Sequence, residues 1–509
     1  MARYREYSYQ QSLMVPITLT AQVQPGTFEY TVNYLVDHEI DLSVFEERYR
    51  NDETGAPAYD PAILLKIILF AYSRGVTSSR RIAEACEENV VFMALSADTH
   101  PHYTTIAEFI CRMDREILSV FTDVLSVCYT EGLIGKRMFA IDGCKISSNC
   151  SKEWSGTKAE LRKKAKKIEE SIEQLLRRHR EADHQQCEPG QREKEEKAVE
   201  NLKAKVQKVR EFLATHEDRI GTQGKAVKSN ITDNESAKMP SSHGVIQGYN
   251  GIATVDGEHQ IVVDAQAFGD GHEAKHVEQV IEAVQQTFSK LDAKLDLYQE
   301  VVLTADSGFH SEESVKTLLD RGVDAYIADT HFRKRDPRFA EQQEHKKKST
   351  DRQRTSKARK YFSKDQFTFN EEATLICPAG KPMRWRTKSY TDAKRGYTGR
   401  GYSGYAKYCG VCELRTKCIR GKKTTVRSIT IVDRAHSYIQ KMIGRFDTDR
   451  GRHYYSRRMG TAEPVFANIR HTRGLHRFSL RGRVKVDTQW KLYCTVHNIG
   501  KIAAHWSKR

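Results

Sequence analysis

The sequence lacks any apolar run near the roughly 20 residues that a membrane helix requires. Its basic N-terminal stretch also lacks the apolar segment of a secretory signal. A membrane protein is therefore not expected, and a cytoplasmic, nucleoid-associated location is. A disulfide framework is equally unsupported: the 11 cysteines are an odd number and mostly scattered, so reduced thiols or metal ligands are expected. Nor is the composition that of a disordered chain, with 39% apolar and 29% charged residues over 509 positions. That length allows two or three domains with their own cores.

What the chain has in excess is positive charge. Eighty-three Lys and Arg face 67 Asp and Glu, a net +16, with a pI near 9.2. Clustered basic charge suits a polyanionic partner, and nucleic acid is the obvious one.

Residues 1–130 read as helical. Pro61 to Tyr72 is strongly apolar and opens with proline at a plausible first helical position. Thr77-Ser78-Ser79 caps a second pattern with Ile82, Ala85 and Cys86 on one face. A third helix is expected from His100-Pro101 through Ile106, Phe109, Met113 and Ile117. Short helices with Arg80 and Arg81 exposed fit a helix-turn-helix-like DNA-binding domain or a plain dimerisation domain.

Residues 155–217 are almost all charged. Leu161, Ile168 and Leu175 recur every seven, and Val199, Leu202, Val206, Val209 and Leu213 resume the pattern after Glu188-Pro189-Gly190. A coiled-coil hairpin that turns at Pro-Gly is expected. Residues 244–330 alternate between strand and helix patterns, as an α/β sheet does. A hairpin is expected around Asp256-Gly257, with Asp256 and Asp264 as turn residues, followed by a helix through Val277 and Val284. The stretch 332–360 is basic and polar, a DNA-facing loop or an insertion.

Two acids close apolar strand-like runs: Asp142 in Phe-Ala-Ile-Asp-Gly and Asp306 in Leu-Thr-Ala-Asp-Ser-Gly. Acids at strand ends converge on the sheet edge where ligands bind. A third, Glu463, lies in Gly-Thr-Ala-Glu-Pro-Val-Phe, where Thr461 can cap a helix with Pro464 in its first turn. Phosphodiester cleavage needs an activated oxygen nucleophile and a stabilised leaving 3′-oxygen. Two divalent ions about 3.5–4 Å apart supply both, and carboxylates are the hard ligands that Mg²⁺ prefers. Each acid taken alone is better read as a turn or cap residue, and only together do the three point to metal chemistry. Asp233, in Asp-Asn-Glu-Ser-Ala-Lys, is read as a loop cap with a possible supporting role.

Four cysteines cluster: Cys377, then Cys409 and Cys412 as one Cys-x-x-Cys, then Cys418. Thirty-one residues separate the first from the second, and five separate Cys412 from Cys418. They could hold a structural Zn²⁺ through four thiolates, or be unrelated thiols. Trp385 could stack on an unpaired base or sit in a core.

Tyr455, Arg458, Glu463 and Arg470 together resemble the Tyr-Arg-Glu-Lys signature of bacterial insertion-sequence transposases of the DDE type. Asp142 and Asp306 fall in blocks similar to the other two catalytic blocks of that family. Residues 60–130 resemble its helical N-terminal domain, and the closing stretch after Arg481 resembles its C-terminal tail. Two departures stand out. Arg458 and Glu463 are one residue further apart than usual, and the final lysine is Arg470; Tyr454 and Arg457 could fill the Tyr and Arg places.

The resemblance implies an RNase H-like α/β catalytic domain over 131–509, preceded by the helical domain 1–130. It would be interrupted by the coiled-coil hairpin 155–217 and a basic, zinc-bearing insertion over 332–425. It implies Asp142, Asp306 and Glu463 as ligands of Mg²⁺ or Mn²⁺, with Tyr455, Arg458 and Arg470 on DNA phosphates. The implied activity is cleavage at transposon ends and joining of the 3′-hydroxyl to double-stranded target DNA by a homodimer. A nuclease that cuts without joining, or a transposase-derived DNA-binding protein without catalysis, would share most of these features.

Overall fold

The computed structural model describes residues 17–49, 57–182, 189–221, 224–241, 244–291, 300–339, 341, 361–392, 397–419, 421, 424–433 and 437–509. Most of the basic stretch 332–360, and the segment just before Pro189, lie outside them. The chain is mixed α/β with a helical N-terminal region, and it divides into two compact units. One comprises Met1–Glu273, Gln279–Leu295 and Met459–Arg509; the other comprises Ala274–Glu278 and Asp296–Arg458.

The first unit opens with helices α1 (Phe28–His38), α2 (Pro61–Ser73), α3 (Ser79–Glu88), α4 (Val90–Leu95), α5 (Tyr103–Arg112) and α6 (Glu116–Thr130). Helix α2 starts as its sequence predicts. Asp60 caps it by accepting from the Ala62 amide at 2.7 Å, and Pro61 takes the first position. Leu64, Leu65 and Ile67 to Tyr72 are all buried, as expected of a helix apolar all round. The single helix expected over 103–117 is two. Met113 leaves helical geometry at ψ 32°, with no Gly or Pro to announce the break.

The sheet of this unit has four antiparallel strands: β1 (Met138–Ser147), β2 (Ala237–Ser241), β3 (Gly244–Asp256) and β4 (Val262–Phe268). Strand β3 is the long spine. It pairs with β1 on one edge, from Phe139↔Asp256 to Ser147↔Gly248, and with β2 and β4 on the other. Helix α9 (Val277–Leu291) covers one face, where Phe139 stacks on Phe288 at 5.4 Å. Helix α13 (Arg483–Trp506) covers the other face. Its Trp490 is fully buried and donates from Nε1 to the Ile252 carbonyl at 3.0 Å. A Cβ on Gly251 would lie 3.0 Å from the Trp490 ring, so a glycine lets helix and strand approach. Asn498 on α13 donates to the Val262 carbonyl and accepts from its amide, both at 2.8 Å, serving β4 as a neighbouring strand would. The same helix reaches the N-terminal helices through Tyr493 on Tyr72, with ring centroids 5.0 Å apart, and Trp506 on Tyr34.

Between β1 and β2 stand α7 (Lys158–Ala182) and α8 (Pro189–Thr215). Leu161 and Ala165 pack on Val209 and Phe212, while Ile172 packs with Val199 and Val206. The start of one helix therefore meets the end of the other, an antiparallel pair. Pro189 and Gly190 are not a turn, as expected, but the first residues of α8. Proline at the first helical position loses no hydrogen bond.

In the second unit, β5 (Val302–Ala305) and β6 (Ala325–Ile327) pair in parallel. They are joined through α10 (Glu312–Asp320), capped by Ser311, whose Oγ accepts from the Ser314 amide at 3.1 Å. Helix α11 (Tyr438–Phe446) and the first turns of α12 (Asp449–Ala467) complete this core around Val302, Tyr326, Ala328 and Phe446. A separate antiparallel sheet, β7 (Met383–Asp392), β8 (Tyr397–Gly404) and β9 (Ser428–Asp433), has a small core of Phe367, Leu375, Met383, Tyr402 and Ile429.

Candidate active-site residues and cysteine cluster

Asp142 does not end its strand. Strand β1 continues to Ser147, so the acid sits mid-strand opposite Ala253. The apolar run stops at Ile141, but the ladder to β3 carries the backbone on through polar residues. Side chains alternate across a strand. Asp142 and Cys144 therefore share the face of α13, while Gly143 shares that of Phe139 and α9. Asp142 is half-buried, and its Oδ1 accepts from the Gly143 amide at 2.8 Å.

Beyond Asp142, β1 borders a cavity of about 500 Å³. Gly143, Cys144 and Lys145 line one wall, with Glu273, Arg470 and His476 around it. Burial pushes the Cys144 thiol up to about 11, opposed by the adjacent Arg470 guanidinium and reinforced by Asp142 and Glu273. Glu273 and Asn250 crowd the back of Gly143. A Cβ there would meet Glu273 Oε1 at 2.9 Å and Asn250 Oδ1 at 3.1 Å, and Asn250 donates to Glu273 at 3.3 Å. Neither Glu273, in a 3₁₀ turn, nor His476 carried a sequence signal; only the fold brings them here.

Glu463 is exposed on α12 and is not among the residues lining this cavity. Its helix does not begin at Thr461, as its local cap signals suggest. Helix α12 starts at Asp449, Thr461 is buried in its interior, and Pro464 lies inside it. A five-residue π-helical segment follows, Asn468–Thr472, and carries Arg470. Such widened turns recur at functional sites.

Asp306 stands directly after β5, as expected. Its Oδ1 accepts from the Gly308 amide at 2.8 Å, and its carbonyl from the Phe309 amide at 3.2 Å. In the same unit Tyr455 packs edge-on against Phe446 and Phe332, at 4.9 and 5.3 Å. The Arg458 guanidinium lies over the Tyr455 ring at 5.5 Å, a cation–π arrangement. Burial raises the Tyr455 hydroxyl, Arg458 opposes that rise and Asp306 adds to it. The second unit thus brings together Asp306, Tyr455 and Arg458, and in the first Asp142 and Arg470 both act on the Cys144 thiol.

Asp264 differs from its expected role, whereas Asp233 lies in a loop and accepts from a backbone amide at a helix start. Asp264 is not a turn residue but lies buried within β4, accepting from Gln266 at 3.0 Å. Burial raises its carboxyl to about 6, against the pull of Lys491. Asp233 is buried and accepts from the Tyr249 hydroxyl at 2.6 Å and the Gly482 amide at 3.3 Å. Asp256 does end its strand, accepting from the Gly135, Glu258 and His259 amides.

Cys377, Cys409, Cys412 and Cys418 line one cavity of about 40 Å³. Cys377 sits in a tight turn, with its amide donating to the Lys381 carbonyl at 2.9 Å and Gly380 at φ +70°. Burial raises the Cys418 thiol, and the other three sulfurs add to that rise. All described cysteines are free thiols. Trp385, for which a core position was one expectation, is instead 61% exposed. Among the described residues, no three His, Cys, Asp or Glu side chains are grouped closely enough to hold a metal ion. No described helix is long and apolar enough to cross a membrane.

Two family models match the chain. One, described as a transposase DDE domain, covers residues 376–503 and so includes Glu463, Arg470 and the cysteine cluster. The other, described as a transposase domain (DUF772), covers residues 17–112, the N-terminal helices. No curated protein matches the chain. The two matches support the resemblance to an insertion-sequence DDE transposase.

Proposed function

We propose that this protein binds the ends of an insertion sequence, cleaves the DNA there and joins the freed 3′-hydroxyl to target DNA. The observation that carries the proposal is the setting of Asp142. A partly accessible carboxylate directly precedes Gly143, Cys144 and Lys145, which line a 500 Å³ cavity together with Arg470 and His476, and it acts with Arg470 on the Cys144 thiol. An acid beside positive groups suits a site that takes a phosphodiester and an activated oxygen. The DDE-domain match over 376–503 adds Glu463 in its Tyr-Arg-Glu context.

In this reading Asp142, Asp306 and Glu463 would hold the divalent ions. Their oxygens are the right kind of donor for Mg²⁺, although no such grouping exists among the described residues. When bound, the ions would activate the attacking oxygen and stabilise the leaving 3′-oxygen. Arg470 and Arg458 would grip phosphates, Arg470 from the widened turn and Arg458 braced on Tyr455. The exposed Trp385 would offer a ring to an unpaired base. The four cysteines around one cavity would take a structural Zn²⁺, for which thiolates are the fitting donors. A reaction on two DNA ends favours a homodimer.

The test is metal-dependent nicking of end-containing DNA. Asp142→Ala should lower the rate on the order of a thousandfold, the loss of several kcal/mol of transition-state stabilisation, while DNA is still bound. Equal nicking by both proteins would reject the triad. Binding without nicking by either would leave a DNA-binding protein. Cleavage without joining of a 3′-end to plasmid would leave a nuclease.

A further inference from the structure

A proline within a helix removes one hydrogen bond. Residue i normally donates its N–H to the carbonyl of i−4, and proline has none to give. In α12 that proline is Pro464, directly after Glu463, and the carbonyl left without its partner is that of Gly460. Gln260, from the turn between β3 and β4, donates its Nε2 to this carbonyl at 3.0 Å.

Gln260 is an unusual residue in its own right. Its φ of +62° puts a non-glycine residue in the left-handed region, a conformation that persists only where surroundings enforce it. Here they do. Lys501 donates to its Oε1 at 2.9 Å, and His497 Nε2 donates to its backbone carbonyl at 2.9 Å. The other nitrogen of His497 lies 3.1 Å from Asn468 Oδ1, at the start of the π-helical segment. Gln260 therefore ties the helix directly at Gly460, three residues before Glu463.

We propose that Gln260 is a positioning residue for Glu463, its side-chain amide standing in for the donor that Pro464 lacks. This rests on reading Glu463 as a site carboxylate. The strained turn fixes the direction of the amide, and the amide fixes the turn of helix that presents the acid.

The test uses the full-length chain. Gln260→Met keeps the side-chain length and removes the donor. Pro464→Ala gives Gly460 back its backbone partner and should make Gln260 dispensable. Amide exchange over 455–467 without DNA, and the nicking rate at saturating end DNA, are measured for each single variant and the double variant. The bond is solvent-accessible, so its loss should quicken exchange about tenfold and slow nicking roughly three- to tenfold, with unchanged DNA affinity. Adding Pro464→Ala should restore both.

Unchanged exchange in Gln260→Met, or no rescue by Pro464→Ala, would overturn the proposal. Rescued exchange with an unaffected nicking rate would also overturn the link to Glu463. Glu463→Gln serves as the control. If it nicks like wild type while Gln260→Met still quickens exchange, the catalytic reading of Glu463 has failed, not the role of Gln260 in the helix.

Discussion

The sheet of the first unit and the small sheet of the cysteine-bearing region are both antiparallel, yet they differ in the size of the core that each packs against. The first is packed between α9 and α13, with Trp490, Tyr249, Tyr493, Phe139 and Phe288 all essentially excluded from water. The second has five buried hydrophobic residues, joined at their edge by Cys377 and Cys418. Apolar burial contributes roughly 25 cal/mol per Å², and five side chains set little against the entropy of ordering the segment. Small folds of this kind usually need a staple. Four thiols around one cavity are where that staple would go.

The largest expected effect follows from that contrast. If the cysteines hold zinc, the binding energy is folding energy, on the order of 10 kcal/mol for a structural site. Chelation or Cys412→Ser should then open the 361–433 region to protease while leaving the first unit protected. Purified protein without zinc, combined with wild-type protease resistance in Cys412→Ser, would remove the staple from the comparison.

A smaller effect is expected in the first unit, where no single group should matter as much. Trp490→Ala should cost about 3–5 kcal/mol in a denaturant titration, since it empties a filled site and strands the Ile252 carbonyl. A cost below about 1 kcal/mol would mean that this core is less tightly built than its burial implies.

The smallest effect concerns Asp264. Its folded carboxyl is raised to about 6 from 3.8, so the folded state holds a proton that the unfolded chain has released. Its contribution is fully present below about pH 3.8 and is lost as pH rises through 6. Asp264→Asn should therefore stabilise by about 3 kcal/mol at pH 8 and by almost nothing at pH 3.5. Thermal midpoints at the two pH values measure this, and a pH-independent difference would show that ionisation is not the cause.

What was legible in the sequence was local. The apolar run and proline start gave α2, and the run before Asp306 gave β5 with the acid just past its end. The readings that failed depended on distant partners. Asp142 looked like a strand end because its apolar run stops, but pairing with β3 extends the strand regardless of polarity. Thr461 and Pro464 looked like a helix start, but a helix begun at Asp449 runs through them, its missing donor supplied by Gln260 some 200 positions away. Asp264 read as a turn residue because burying an acid within a strand is costly. Nothing local shows that Lys491 and Gln266 come to meet it. The cysteine spacing gave a zinc site only as one option; the shared cavity brings the distant Cys377 to the other three.

The mid-strand position of Asp142 has a consequence for how this chain can vary over generations. Substitutions along β1 change one side chain at a time. Loss or gain of a single codon between Met138 and Asp142 would instead shift the alternation of the strand against β3. It would turn the acid to the face under α9 and bring Gly143 or Ile141 to its former place. This stretch should therefore tolerate exchanges of apolar residues freely and changes of length hardly at all.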